Sequence, residues 1–221
     1  MDKRGKKIIY VSHCLLNQNL RFPGIAVQSG AIVELITILI RNGIGIELLP
    51  CLERKGWGGV SRKTFYKFFP FINKTIGTKK FPITKLILRF WLSRFKKKCR
   101  KEAKKIVNQM IDYVKSGYTI LGIITTNDSP TCGYTKTINL LEALKKYKAF
   151  GMTPKALRKP NLEEMKNFIP NLCKEGSGFF TSELVKQMKK RKLKLSILGF
   201  NIWNNLTEET KRVIQHFDLT I

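Results

Sequence analysis

The sequence predicts a single α/β domain spanning residues 1–221: a Rossmann-like three-layer fold with a parallel sheet and a basic helical insertion at about residues 63–100. Three observations predict it. Short β-branched runs alternate with segments of helical periodicity, the pattern of βαβ units around a parallel sheet. The run Tyr118 to Thr125 is apolar nearly throughout, as a strand covered on both faces should be. The chain has 221 residues, 43% of them hydrophobic, which is enough to bury a core without a disulfide scaffold.

Each element follows in order. Lys7 to Ser12 is a β-branched run and reads as the first strand. Pro23-Gly24 opens a long apolar segment, Ile25 to Arg41, read as a helix closed by Asn42-Gly43. Ile44 to Leu49 is the second strand, stopped by Pro50. Glu102 to Lys115 carries Ile106, Met110, Ile111 and Val114 at helical spacing and stops at Ser116-Gly117; the third strand, Tyr118 to Thr125, follows. Thr137 to Tyr147 reads as a helix with Ile138, Leu141 and Leu144 on one side, and Pro154 to Pro170 as a proline-bounded mixed stretch. Thr181 to Lys190 is a helix, Leu193 to Phe200 a strand and Thr207 to Phe217 the last helix, with Thr207 as its expected N-cap and Glu208 and Glu209 in its first turn.

The stretch between Glu53 and Glu102 departs from this alternation. Its 48 residues hold no Asp or Glu, 16 Lys or Arg and 10 aromatics. It is too long for an ordinary loop and predicts helical structure of its own, roughly from Ile83 to Lys98.

Charge is the abnormal property. Against 15 acidic residues stand 42 Lys and Arg, a formal net charge of +27. Such an excess repels itself and points to polyanions. No stretch reaches 18 apolar residues free of charge, since the longest candidate, Ile25 to Ile40, carries Gln28 and Glu34. No cleavable leader is read at the basic N-terminus, so a cytoplasmic protein with reduced thiols is expected.

The thiols are the most informative feature. Of five cysteines, Cys14 follows the first strand, Cys51 the second and Cys132 the third. Three strand-to-helix loops thus deliver one cysteine each to the same edge of one sheet, where parallel neighbours lie about 4.8 Å apart. Cys99 and Cys173 do not share the pattern. The three thiols read either as small buried hydrophobes or as a metal site for Zn, Cu(I) or an iron–sulfur cluster. No two form a Cys-x-x-Cys pair, which disfavours a zinc finger. Three ligands leave one coordination position for substrate. The surrounding positive charge is expected to favour thiolates.

These loops carry longer motifs. Ser12-His13-Cys14-Leu15-Leu16-Asn17 and Arg21-Phe22-Pro23-Gly24 open the chain; Pro50-Cys51-Leu52-Glu53 with Gly58-Gly59 and Arg62 follows. Then come Asp128-Ser129-Pro130-Thr131-Cys132-Gly133 and Gly176-Ser177-Gly178-Phe179-Phe180. In this order they resemble the signatures of the DUF523 proteins, the group that includes the 2-thiouracil desulfurase (TudS) family. Leu52 stands where that pattern has proline. The resemblance implies a [4Fe-4S] cluster held by Cys14, Cys51 and Cys132, with one iron free to bind the sulfur of a thiocarbonyl substrate. It implies hydrolytic desulfuration, in which thione and water give carbonyl and sulfide. It also assigns Glu47, four residues before the second cysteine, to water activation, and Ser129 to orienting substrate or relaying a proton. Asp128 stands in reserve, and His13 reads as a neighbour of the ligands.

The expected activity is therefore that of a desulfidase acting on a thiolated nucleobase, nucleotide or tRNA. The basic segment 54–101, with its interleaved aromatics, offers an RNA contact. The alternatives are a non-catalytic nucleic-acid-binding protein with a structural metal or iron–sulfur site, and a membrane-surface association through the amphipathic segment Ile83 to Phe95.

Overall fold

The computed structural model describes residues 2–149 and 160–220. The chain begins with β1 (Lys7–Ser12), α1 (His13–Leu16), a 3-10 turn (Gln18–Leu20), α2 (Val33–Arg41) and β2 (Gly45–Leu49). Next come α3 (Leu52–Gly56), α4 (Lys63–Thr75), α5 (Phe81–Lys115) and β3 (Thr119–Thr126). The remainder is β4 (Lys136–Ile138), α6 (Leu140–Ala149), α7 (Leu162–Leu172), β5 (Cys173–Glu175), α8 (Phe179–Lys190), β6 (Ile197–Phe200) and α9 (Leu206–Phe217).

The expected fold class is what forms. Four parallel strands pair in the order β2-β1-β3-β6, with register Tyr10↔Glu47 and Tyr10↔Ile123 at the centre. The period-two alternation of β1 builds the layers. Ile8 and Tyr10 pack with Val107 and Met110 of α5 and Leu184 of α8. Ile9 and Val11 face the other way, onto Leu35 and Leu39 of α2 and Val213 of α9. Helices on both faces of a parallel sheet make three layers. A separate antiparallel pair, β4 with β5, lies outside the sheet.

The chain moves from β1 outward to β2, then crosses back to β3 on the other side of β1. The gap between β1 and β3 is therefore the switch point, where loops diverge and a ligand crevice opens.

Several boundaries differ from expectation, each for a local reason. The helix expected from Ile25 starts at Val33, because residues 25–32 form a hydrogen-bonded strap instead. Gln18 N–H donates to Gly30 O (2.6 Å), Ile32 N–H to Leu15 O (2.8 Å) and Val33 N–H to the Gln28 side chain (3.0 Å). Thr137 pairs with Lys174 in β4, and the helix after it begins only where Asn139 accepts the N–H of Leu141 and Glu142. The last strand starts at Ile197 rather than Leu193, whose N–H is taken by Met188 O at the end of α8. The last helix is capped by Asn205, which accepts from the N–H of Thr207 (2.9 Å) and Glu208 (3.2 Å), so Thr207 already lies within the helix. Of the proline-bounded stretch, 154–159 lies outside the described residues; the part beyond Asn161 is α7, with Pro170 inside its last turn.

The two helices expected at Ile83–Lys98 and Glu102–Lys115 are one, the 35-residue α5. At 1.5 Å per residue it is about 52 Å long. Its end feeds β3 through Ser116-Gly117, so it runs against the strands. The half that packs on the sheet supplies Cys99, Ala103, Ile106, Val107 and Met110 to the core. Its first half overhangs the carboxyl edge of the sheet, where the cysteine loops are. Among the described residues no helix is long and apolar enough to cross a membrane.

Candidate functional site

Three strand ends build the site. β1 passes directly into α1, which carries Cys14, and the Gln18 side chain donates to Cys14 O (2.6 Å) to hold that turn. Cys51 is the residue before α3. After β3 the backbone turns through Asp128, a non-glycine residue in the left-handed region (φ 61°). Ser129 Oγ then accepts the N–H of Thr131 (3.1 Å) and Cys132 (2.9 Å), and Asn127 Oδ1 accepts from Tyr134 and Thr135 (3.3 Å each). Hydroxyl and amide side chains thus replace a regular ladder and fix the loop that presents Cys132.

Glycines let a second motif dock on this loop. A Cβ on Gly178 would sit 2.5 Å from Thr131 O, so only glycine allows the start of α8 to approach so closely. The N–H groups of Phe179 and Phe180 donate to Pro130 O and Thr131 O, and Thr181 Oγ1 donates to Cys132 O (3.0 Å).

Cys14, Cys51 and Cys132 converge on one cavity of about 160 Å³. Burial pushes all three thiols up: Cys14 to about 11, Cys51 above its ordinary value and Cys132 well above it. Arg21 opposes the shift at Cys14, Arg62 at Cys51 and the Ser12 hydroxyl at Cys132. The mutual repulsion of the three thiolates adds to the rise. This corrects the expectation of thiolates in the free protein: local desolvation outweighs the distributed positive charge.

A polar cluster lies beside the thiols. Ser129 Oγ donates to Glu53 Oε1 (3.0 Å), and Arg62 Nη2 lies 3.8 Å from Glu53 Oε2 and 3.9 Å from Cys51 Sγ. Arg62 is fully buried and also donates to Leu20 O (2.6 Å) and Gly59 O (2.8 Å). Arg21 is buried too, and burial lowers its pKa against the pull of Cys14, Glu53, Asp128 and Cys51. Nε and Nη1 of Arg21 and Nε of Arg62 have no hydrogen-bond partner among the described residues.

Ser129 is on the cavity wall, where it both caps its turn and donates to a carboxylate. His13 and Asp128 also line the cavity. Burial raises the Asp128 carboxyl, against a hydrogen bond with Cys173 and the charges of Lys136 and Arg21.

Glu47 stands elsewhere. It lies within edge strand β2 on the side that faces α5, two residues short of the strand end beyond which the cavity opens. Gln109 Nε2 donates to its carboxylate (2.9 Å), and so does the Tyr113 hydroxyl. It does not line the cavity. The carboxylate at the thiols is Glu53, inside the second cysteine motif but with no role assigned from sequence. Arg21 and Arg62 were likewise visible in motifs without a stated role. The signal available was position: each follows a strand-end cysteine within eleven residues.

The far wall is different in kind. Phe22, Phe69, Leu144, Met165, Phe168 and Leu172 contribute to it, and most belong to a separate apolar cluster formed by α4, α6 and α7. The aromatics of the acid-free stretch largely serve this wall and its support. Phe65 stacks on Phe69 (centroids 5.1 Å) and on Trp57 (5.9 Å), and Trp91 stacks on Phe95 (6.0 Å). Among the described residues, no three His, Cys, Asp or Glu side chains stand close enough to grip a single metal ion.

No family model matches the chain, and no solved structure matches it. Over 174 residues it is 29% identical to the uncharacterized protein MJ0003 of Methanocaldococcus jannaschii, an alignment that covers 77% of this chain and 97% of that protein.

Proposed function

We propose that the protein is a [4Fe-4S]-dependent desulfidase that hydrolyses the C=S group of a compact thiolated substrate to C=O, releasing sulfide. The observation that carries this reading is the convergence of Cys14, Cys51 and Cys132 with Glu53 and Ser129 at the polar end of a cavity whose far wall is apolar. The donor set fits an iron–sulfur cluster. Thiolates are the soft ligands such clusters take. Nε and Nη1 of the buried Arg21 have no hydrogen-bond partner among the described residues, and an anionic group beside the thiols would offset the cost of burying that charge. Three thiolates created on cluster binding would provide it.

A cluster held by these thiols supplies a soft Lewis acid that polarises C=S. The chain's own residues do the rest. Glu53, fixed by the Ser129 hydroxyl and Arg62, takes a proton from the attacking water. Ser129 returns that proton from Glu53 to the sulfur, and Glu53 then takes the second proton, from the carbon-bound hydroxyl, as the C=O bond forms, the C–S bond breaks and hydrosulfide leaves to receive it. Thione and one water thereby give carbonyl and hydrogen sulfide, with no net change in oxidation state. The apolar far wall seats the body of the substrate and keeps bulk water out. Arg21 and Arg62, the cations that line the cavity among the described residues, are committed to the thiol end, and burial favours the neutral form of His13. An uncharged thiobase therefore suits the cavity better than a nucleotide carrying phosphates.

The test is anaerobic purification and cluster reconstitution, followed by sulfide release from thiouracils, thionucleotides and thiolated tRNA. The expected result is a visible iron–sulfur spectrum, lost in Cys14→Ala, and turnover of the free bases. A colourless protein, or a coloured one that releases no sulfide from any of these, overturns the reading.

A further inference from the structure

The outer face of the overhang is the second unusual surface of the molecule. Ile83, Leu86, Ile87 and Phe90 follow one another at three- and four-residue spacing along the first half of α5, so they form one stripe. Each is between 60% and 67% exposed. The opposite side of the same turns, Thr84, Leu92 and Phe95, is buried, so the stripe is not core. On neighbouring α4, Phe68 (53%) and Phe71 (59%) are exposed as well, while Phe65 and Phe69 face inward. Exposed apolar side chains in this number mark a contact surface.

Its surroundings say what the contact is. The exposed side chains around the stripe include Lys63, Lys67 and Lys74 on α4, Lys79 and Lys80 before α5, and Arg89 and Arg94 within it. No acidic residue occurs between Glu53 and Glu102. A second copy of this chain would bring the same cations against one another, each copy carrying a net +27. Nucleic acid would satisfy the cations but not Ile83, Leu86 and Ile87, which have no π face to stack on a base. A bilayer with anionic headgroups satisfies both, since apolar side chains enter the acyl boundary while Lys and Arg meet the headgroups.

We infer that the α4–α5 overhang is a peripheral membrane-binding surface, selective for anionic lipid. The full-length protein is sedimented with vesicles of phosphatidylcholine alone and of equal parts phosphatidylcholine and phosphatidylglycerol. Binding is expected to be at least about tenfold stronger to the anionic vesicles and to weaken as salt rises. Combined Ile83→Ser, Leu86→Ser and Phe90→Ser is expected to lower that binding at least about tenfold, because the apolar contribution is lost. These side chains are exposed, so the variant should keep the wild-type circular dichroism spectrum. Phe68→Ser with Phe71→Ser, on the other helix, gives an independent second variant, expected to weaken vesicle binding in the same direction. Vesicle binding that both variants leave undiminished overturns the inference. So does absence of binding to anionic vesicles. A dimer in sedimentation equilibrium that the α5 variant dissociates assigns the stripe to self-association instead. Single-stranded RNA binding weakened by that variant assigns it to nucleic acid.

Discussion

Glu53 and Glu47 flank the end of β2 and meet different surroundings. Glu53 has turned into the cavity onto Ser129 and Arg62, while Glu47 is held against α5 by Gln109 and Tyr113. If proton transfer is the task of the carboxylate at the thiols, Glu53→Gln should lower sulfide release by roughly 100-fold or more, in the range of lost general acid–base catalysis. Glu47→Gln should leave the rate within about threefold, because its effect is confined to neighbouring packing. A steady-state sulfide assay on the two reconstituted variants separates them. The thiols give a second prediction. In the metal-free protein Cys14 titrates at about 11 because it is desolvated, against about 8.5 for a free thiol. Its alkylation by iodoacetamide should be slow at neutral pH and climb as pH approaches that value, with mass spectrometry following each cysteine. The sign for stability follows, since the folded state holds this proton more tightly than the unfolded chain. Its contribution is complete below about pH 8.5 and fades as pH rises toward the folded value. The three cysteines were legible as a set because each lies within six residues of a strand end, and strand ends can be read from local pattern. The choice between two nearby glutamates was not legible. It depends on which face of an edge strand meets α5, and that is set by packing between segments far apart in sequence.

At the scale of elements, the loop bearing Cys132 and the start of α8 are a single device. Gly178→Ala would push a methyl to 2.5 Å from Thr131 O. It should destabilise the fold by about 1–3 kcal/mol, as overpacking does, and lower the iron retained after reconstitution, measured by urea melt and metal analysis. In α9, burial alone would raise the Glu209 carboxyl, but Arg212, the Asn201 N–H and the Asn204 amide outweigh it and hold it below its ordinary value. The stabilisation it gives is present above the ordinary carboxylate range, near pH 4.3, and is lost as pH falls through the lower folded value. Glu209→Gln should therefore flatten the acid limb of a stability-against-pH curve. Strand cores and the long helices were legible from periodicity. The helix beginnings were not, because Gln28, Asn139 and Asn205 fix them through side-chain hydrogen bonds that hydrophobic spacing does not report. The continuity of α5 was hidden for a related reason: its first half is apolar on two sides and its second on one, so the periodicity changes midway along an unbroken helix.

For the whole molecule, the net charge of +27 is spread over a surface with few acids to answer it. Self-repulsion of this kind is long-ranged and screened by ions. The midpoint of thermal unfolding should therefore rise from low to moderate salt, where a charge-balanced protein would change little; scanning calorimetry across a salt series checks it. Composition revealed that charge, and the motifs contained the three cysteines that line the cavity, but neither revealed that the acid-free stretch divides its aromatics between an inner wall and an outer surface. That division is made by α4. Phe65 and Phe69 look into the cavity while Phe68 and Phe71 look out, so the partition between the two is one helix thick. Any factor by which a filled cavity alters the grip of the outer face on its partner must be returned, unchanged in size, as an altered grip of the cavity on its contents.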